Sequence, residues 1–161
     1  MNEPEHYVDH QMERTTCGGL LDGDSAALDE SRGLFRSDFA DPGRGEIVEA
    51  IRLHAENGWP IDPATVNQTL IDHGWAHLAY EIAECGDAFL APVDSAKMAF
   101  YARRLRALAK FRALQCALGS GWAAIGDTSL DIDERLRLVE QVLPAIAAAK
   151  EALRVARKPL K

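Results

Sequence analysis

The stretch EAIRLHAENGWPIDPATVNQTLIDHGW, residues 49–75, constrains the fold more than any other part of the chain. Its punctuation is helical on both sides of a tight connector. Asn57-Gly58 ends one helix. Asp62-Pro63 opens the next, with Asp as N-cap and Pro at the first helical position, where no backbone N–H is needed. His73-Gly74 closes it, because Gly adopts the left-handed conformation of a helix C-cap. Two short helices therefore meet across a rigid turn.

The rest of the chain speaks the same language. Alternating β-branched and aromatic runs are missing, while Ala, Leu, Arg and Glu abound. The patterning predicts helices over 5–21, 25–33, 42–57, 63–73, 75–85, 94–124 and 131–156. Thr15, Thr16, Gly18 and Gly19 weaken the first of these. Ser25 is positioned to cap the second, Asp38-Phe39 to make a turn, and Asp41-Pro42 to start the third. Leu34, Phe39, Ile47, Ile51 and Leu53 are candidate core residues. The fold class expected is all-α: a compact bundle of about five short helices over residues 1–93, then a long helical hairpin over 94–161.

The segment SAKMAFYARRLRALAKFRALQCALGSGWAAIG carries the strongest local bias. Residues 96–126 hold six basic residues and no acid, in a chain whose net charge is −7. On a helical wheel Met98, Tyr101, Leu105, Leu108, Phe111 and Leu118 share a broad face. Arg103, Arg106 and Lys110 lie opposite, among Ala99, Ala102, Ala113 and Ala117. Lys97, Arg104 and Arg112 fall nearer the apolar side and are expected to snorkel or to meet Glu81 or Glu84. The face of Arg103, Arg106 and Lys110 reads either as a solvated surface or as a docking surface for a partner; the small alanines favour close protein contact. Asp131 and Glu134 have capping-box spacing. The last helix carries Leu136, Val139, Leu143 and Ile146 on one side, and Pro144 is expected to kink it.

Several of these strings have a counterpart. Gly58, Pro60, Ile61, Asp62, Thr65, Val66, Leu70 and Gly74 stand in the order G-x-PID-x-x-T-(V/L), and this segment resembles the N-terminal domain of DnaB-type replicative DNA helicases. The resemblance extends to the Asp38-Phe39 turn, to the Pro-bearing helix start at Pro42, and to AFYARRLRALAKFRAL, which is similar to the family's Tyr-Ala-bearing basic helix. It spans nearly all of residues 8–156. The first helix is less apolar than its counterpart, and a Gly-rich loop common between the positions of Gly74 and Asp94 is missing.

The resemblance implies a helicase-collar domain that self-associates through its hairpin and binds the helicase-interacting C-terminal domain of a DnaG-type primase, or a helicase loader. Self-association is then expected at Tyr101, Leu105, Leu108, Leu136, Val139 and Leu143, and partner contact at Arg103, Arg106, Lys110 and Trp59. Trp59, Trp75 and Trp122 also read as covers at the edge of a small core. Two origins fit: the collar of a longer helicase, or a standalone phage- or plasmid-type protein that docks on a host helicase or primase and modulates it. Met1 and the ending ARKPLK incline the expectation to the second. A nucleic-acid-binding module using the basic helix 96–118, with weak DNA contact, is a further alternative.

No enzyme chemistry is legible. G-x-x-x-x-G-K-[ST] does not occur, so the phosphate cradle of a P-loop motor is missing from the sequence. His6 with His10, and His73 with His77, are each four residues apart, but neither pair has a convincing third ligand, and no metal or cofactor is expected. No Ser-His-Asp or Cys-His set emerges from spacing. Cys17, Cys85 and Cys116 are too few and too dispersed for a disulfide framework and point to a reducing, cytoplasmic setting, with Cys85 and Cys116 reading as small buried residues. The N-terminus is unlike a signal peptide, and no membrane is expected as a partner.

Overall fold

Six aspartates set where helices begin. In a computed structural model, which describes residues 8–87 and 93–158, Asp9, Asp24, Asp41, Asp62, Asp94 and Asp131 each accept a backbone N–H from the first turn that follows. A carboxylate there satisfies an orphan donor and lies at the positive end of the helix dipole. The helices are α1 His10–Leu21, α2 Ser25–Ser31, α3 Pro42–Asn57, α4 Pro63–Asp72, α5 Ala79–Asp87, α6 Ser95–Gly126, α7 Ile132–Glu140 and α8 Val142–Ala156, with 3₁₀ turns at Arg36–Asp38 and Ala76–Leu78. The chain is all-α among its described residues, with a bundle of short helices followed by a long helical hairpin.

The connector behaves as its sequence dictates. Gly58 and Gly74 take φ of 66° and 85°. Behind each, a tryptophan N–H reaches back five residues: Trp59 to the His54 carbonyl at 2.9 Å, and Trp75 to the Leu70 carbonyl at 2.8 Å. These are Schellman closures, which only a residue tolerant of the left-handed region completes without strain.

Several boundaries differ from the expectation: the helix expected over 75–85 is a 3₁₀ turn at Ala76–Leu78 followed by α5, and α2 ends at Ser31. Residues 5–7 of the first expected helix lie outside the described residues, and α1 starts at His10 behind its Asp9 cap. Asp24 rather than Ser25 caps α2. The last expected helix is two helices, interrupted at Gln141. Pro144 explains the break: it has no N–H for the Glu140 carbonyl, and its ring crowds that carbonyl, so α7 ends there.

Leu20, Leu34, Ile47, Ile51, Val66, Leu70, Met98 and Leu105 are fully buried in the centre of the globule. Phe39 joins them, whereas Leu53 is only half-buried. Gly18 and Gly19 prove useful inside α1. A Cβ on Gly19 would sit 3.0 Å from Met98 and Val93, so the glycine lets the start of α6 come close. Cys17 and Cys85 are buried, and burial, reinforced by the neighbouring Cys85, pushes the Cys17 thiol well up. Cys116 is exposed instead of buried, because that part of α6 has left the globule.

A buried ionic hub pins α1, α3 and α5 together. The Arg44 guanidinium donates to Glu13 at 3.0 Å and to Glu81 at 2.7 Å, and its Nη1 lies 3.0 Å from His10 Nδ1. Glu13, fully buried, also accepts from the Ala40 N–H at 2.6 Å and the Asp41 N–H at 3.4 Å. Desolvation lowers the Arg44 guanidinium, but its bond to Glu81 and the surrounding carboxylates outweigh that and hold it above its ordinary value. Arg14 engages Glu81 and Glu84 from α1. The acids expected to meet Lys97 and Arg104 are thus taken by Arg14 and Arg44.

Candidate interaction surfaces on the hairpin and the connector

Helix α6 begins against the globule and ends outside it. Its N-terminal half packs on α1 and α2, and its whole length is followed by α7 and α8 coming back antiparallel. Gly121 marks a close crossing: a Cβ there would lie 3.2 Å from Val142 Cγ2 and 3.7 Å from Val139 Cα. At the other end Arg103 Nη1 donates to the Lys158 carbonyl at 3.3 Å, fixing the end of α8 beside the first third of α6.

Helix geometry then assigns the faces. Successive residues turn by about 100°. Arg103 and Gly121, which meet the Lys158 carbonyl and Val142, mark the side of α6 that faces the returning arm, and on an ideal wheel Lys97, Phe100, Arg104, Leu118 and Trp122 lie roughly 60–120° round from them. On the returning strand of the hairpin the same displacement brings up Ile132, Leu136, Leu143, Ile146, Lys150 and Arg157. Because the two arms run antiparallel, a turn in the same sense on each brings both sets to one side of the hairpin. That open face is apolar near the turn: Leu118, Trp122 and Ile125 on α6, Ile132 and Leu136 on α7, and Leu143 and Ile146 on α8 are all exposed, with Trp122 at 79% and Leu143 at 69%. Seven large apolar side chains exposed on one face are what an association surface requires.

The residues expected to carry self-association divide between two places. Leu136 and Leu143 lie on the open face. Val139 is half-buried near the Gly121 crossing. Leu105 and Leu108 are buried in the chain's own core, and Tyr101 is half-buried against it, so these three have little surface left for a second copy. Leu118, placed with the core by the wheel, is exposed because no globule lies under that stretch. Trp122, Ile125 and Ile132 were not singled out for association; they are the apolar residues that lie a quarter-turn off the core stripe.

The cations divide similarly. Arg103 Nε bonds the Ala99 carbonyl at 3.2 Å and Arg106 Nε the Ala102 carbonyl at 3.1 Å, while Arg106 Nη1 sits 2.9 Å from where Gly33 would carry a Cβ. Both lie folded onto the protein. Lys110 is exposed. Arg112 donates to the Asp38 carbonyl at 2.8 Å, and desolvation holds it below its ordinary value.

Trp59 stands apart from the hairpin. It is 50% exposed, edge-on to His54 at 5.5 Å. His54 is buried, with Nδ1 2.6 Å from the Pro60 carbonyl and Nε2 2.7 Å from Thr69 Oγ1. A carbonyl only accepts, so Nδ1 carries the proton and donates. The connector is thereby latched to α3 and α4. Beside it, Leu28, Phe35, Ile51, Trp59 and Ile61 line a groove of about 740 Å³, with Arg52 over the Phe35 ring at 5.3 Å.

Among the described residues no group of three or more His, Cys, Asp or Glu is arranged to hold a metal; His6 lies outside them. No helix among them is long and apolar enough to cross a membrane.

Comparison with known proteins accords with this architecture. The crystal structure of the N-terminal domain of DnaB helicase from Mycobacterium tuberculosis superposes with a TM-score of 0.71 at 22% identity, covering 85% of this chain and 97% of that one. At that identity the likeness speaks for the fold. Curated proteins give no significant match. The family model of the DnaB-like helicase N terminal domain matches residues 5–107, well over half of the chain. With its capped connector, buried hub and projecting hairpin, this chain belongs to the DnaB-like helicase N-terminal domain family.

Proposed function

We propose that this chain is a non-catalytic scaffold of DNA replication that self-associates through the open face of its hairpin and recruits a replication partner. The carrying observation is the exposed apolar face of Leu118, Trp122, Ile125, Ile132, Leu136, Leu143 and Ile146. Its size and continuity favour a second hairpin as occupant, since like faces are self-complementary in a two-fold dimer. Leu136 and Leu143 are the residues expected from the sequence that this reading retains, and Val139 supports them from the crossing. Tyr101, Leu105 and Leu108 pack in the chain's own core and take no direct part in it.

The partner proposed is the C-terminal domain of a DnaG-type primase, a replicative helicase, or a helicase loader, all cytoplasmic. Trp59 beside its groove supplies an aromatic anchor of the kind that dominates protein interfaces. Arg103, Arg106 and Lys110 border the other side of α6, where Lys110 is the cation most open to an acidic partner. The chain acts either as the collar of a longer helicase or as an independent modulator competing for the same contacts. Neither version assigns nucleotide hydrolysis to residues 1–161, which hold no P-loop string.

Immobilised full chain is expected to capture purified primase C-terminal domain or the replicative helicase. Trp59→Ala and Lys110→Glu should each weaken capture without altering the melting temperature. Failure to capture either protein, with the chain folded by circular dichroism, would remove the recruitment reading.

A further inference from the structure

The open face of the hairpin changes character along its length. Beyond the apolar half, toward the start of α6 and the end of α8, it becomes cationic. Lys97 and Arg104 are about two helical turns apart and both exposed, with Phe100 between them at 41% exposure. Lys150 and Arg157 present the corresponding face of α8, held alongside by the bond from Arg103 to the Lys158 carbonyl. None of these four cations has an ion-pair partner among the described residues. The one acid on α8, Glu151, is taken by Arg154 at 2.6 Å, and α6 contains no acid at all.

We infer that this end of the hairpin is a binding site for single-stranded nucleic acid, in which Lys97, Arg104, Lys150 and Arg157 contact phosphates and Phe100 stacks on a base. Unpaired cations in a chain of net charge −7 are a local departure from the global balance, and they form a stripe along a helix pair, matching a linear polyanion. The aromatic ring selects nucleic acid over an acidic peptide. An acidic peptide needs only the cations, whereas a phenyl ring exposed between two of them offers a stacking surface that any base fits. Phe100 contacts Tyr101 at 5.9 Å in a tilted pair, which leaves its outer side open. The site lies on the opposite half of the face from Trp122 and Leu143, so it does not depend on self-association.

The test is fluorescence anisotropy of labelled oligothymidylate with the full chain, over a salt series, with polyglutamate as competitor. Four phosphate contacts give a slope of log affinity against log salt of about −3. Lys97→Glu with Arg104→Glu should flatten it by roughly 1.4 and weaken binding. Phe100→Ala should lower affinity at least about fivefold while leaving the slope unchanged, and Phe100→Tyr should restore it. Light scattering on each variant separates this outcome from a change in oligomeric state. No binding at low salt would overturn the proposal. So would binding indifferent to all these variants, or binding abolished by polyglutamate and insensitive to Phe100→Ala, which would assign the surface to an acidic peptide.

Discussion

Replacing Arg44 by Met removes one guanidinium from the middle of the domain and asks what its three carboxylates do next. Glu81, with its side chain 18% exposed, and Asp41, at 31%, can recover water. Each should cost no more than a surface pair, about 0–1 kcal/mol. Glu13 is fully buried and has no such escape. Stranding a buried charge by deleting its partner costs about 3–5 kcal/mol. Glu13 keeps the Ala40 and Asp41 N–H bonds, so the lower end, about 3 kcal/mol, is expected. For a domain of this size that is a fall in melting temperature of about 6–12 °C. Thermal and urea unfolding followed by circular dichroism measure it. Adding Glu13→Gln removes the stranded charge, so the double variant should be more stable than the sum of the two losses implies. A loss below about 1 kcal/mol, or strict additivity in the double variant, would refute the hub as the clamp between α1 and α3.

Other substitutions probe separate parts of the structure. A Cβ at Gly45 would lie 2.8 Å from the Arg36 carbonyl oxygen, so Gly45→Ala should push the 3₁₀ turn off α3 and cost about 1–3 kcal/mol in urea titrations. At Gly121 the nearest atom is the end of the Val142 side chain; Ala should be accommodated, while Leu should part the hairpin and speed hydrogen exchange in α7. Asp62 is held below the usual carboxylate range, chiefly by the Thr65 N–H. Its lowered folded value means that its contribution is present above the unfolded value of about 3.9 and is lost as pH falls through the folded one. Asp62→Asn keeps the cap but cannot titrate, so the stability difference between wild type and variant should shrink as pH drops below about 4.

Local grammar was readable in the sequence, and long-range partnership was not. The caps at Asp41, Asp62 and Asp131 and the closures at Gly58 and Gly74 depend on neighbours a few residues away, and residue type alone predicts their positions. The placement of Leu118 did not. A helical wheel treats α6 as having one environment, whereas its first half lies on a globule and its second half on two slender helices. The same apolar stripe therefore turns from core into surface between Leu108 and Leu118. Charge pairing failed for a related reason: Glu81 is within reach of several cations by pattern, and only the packing of α1 on α3 and α5 hands it to Arg44 and Arg14. Pro144 predicts a disturbance from residue type, and its position in the first turn of α8 decides that the outcome is a break.

Sedimentation equilibrium of the full chain over a wide concentration range tests the scaffold reading most directly. Self-association through the open face predicts a mass rising with concentration toward a dimer or larger assembly, and a return to monomer when Trp122→Glu and Leu143→Glu are combined without loss of helicity. A strict monomer at every concentration, or an oligomer indifferent to those two charges, would contradict it.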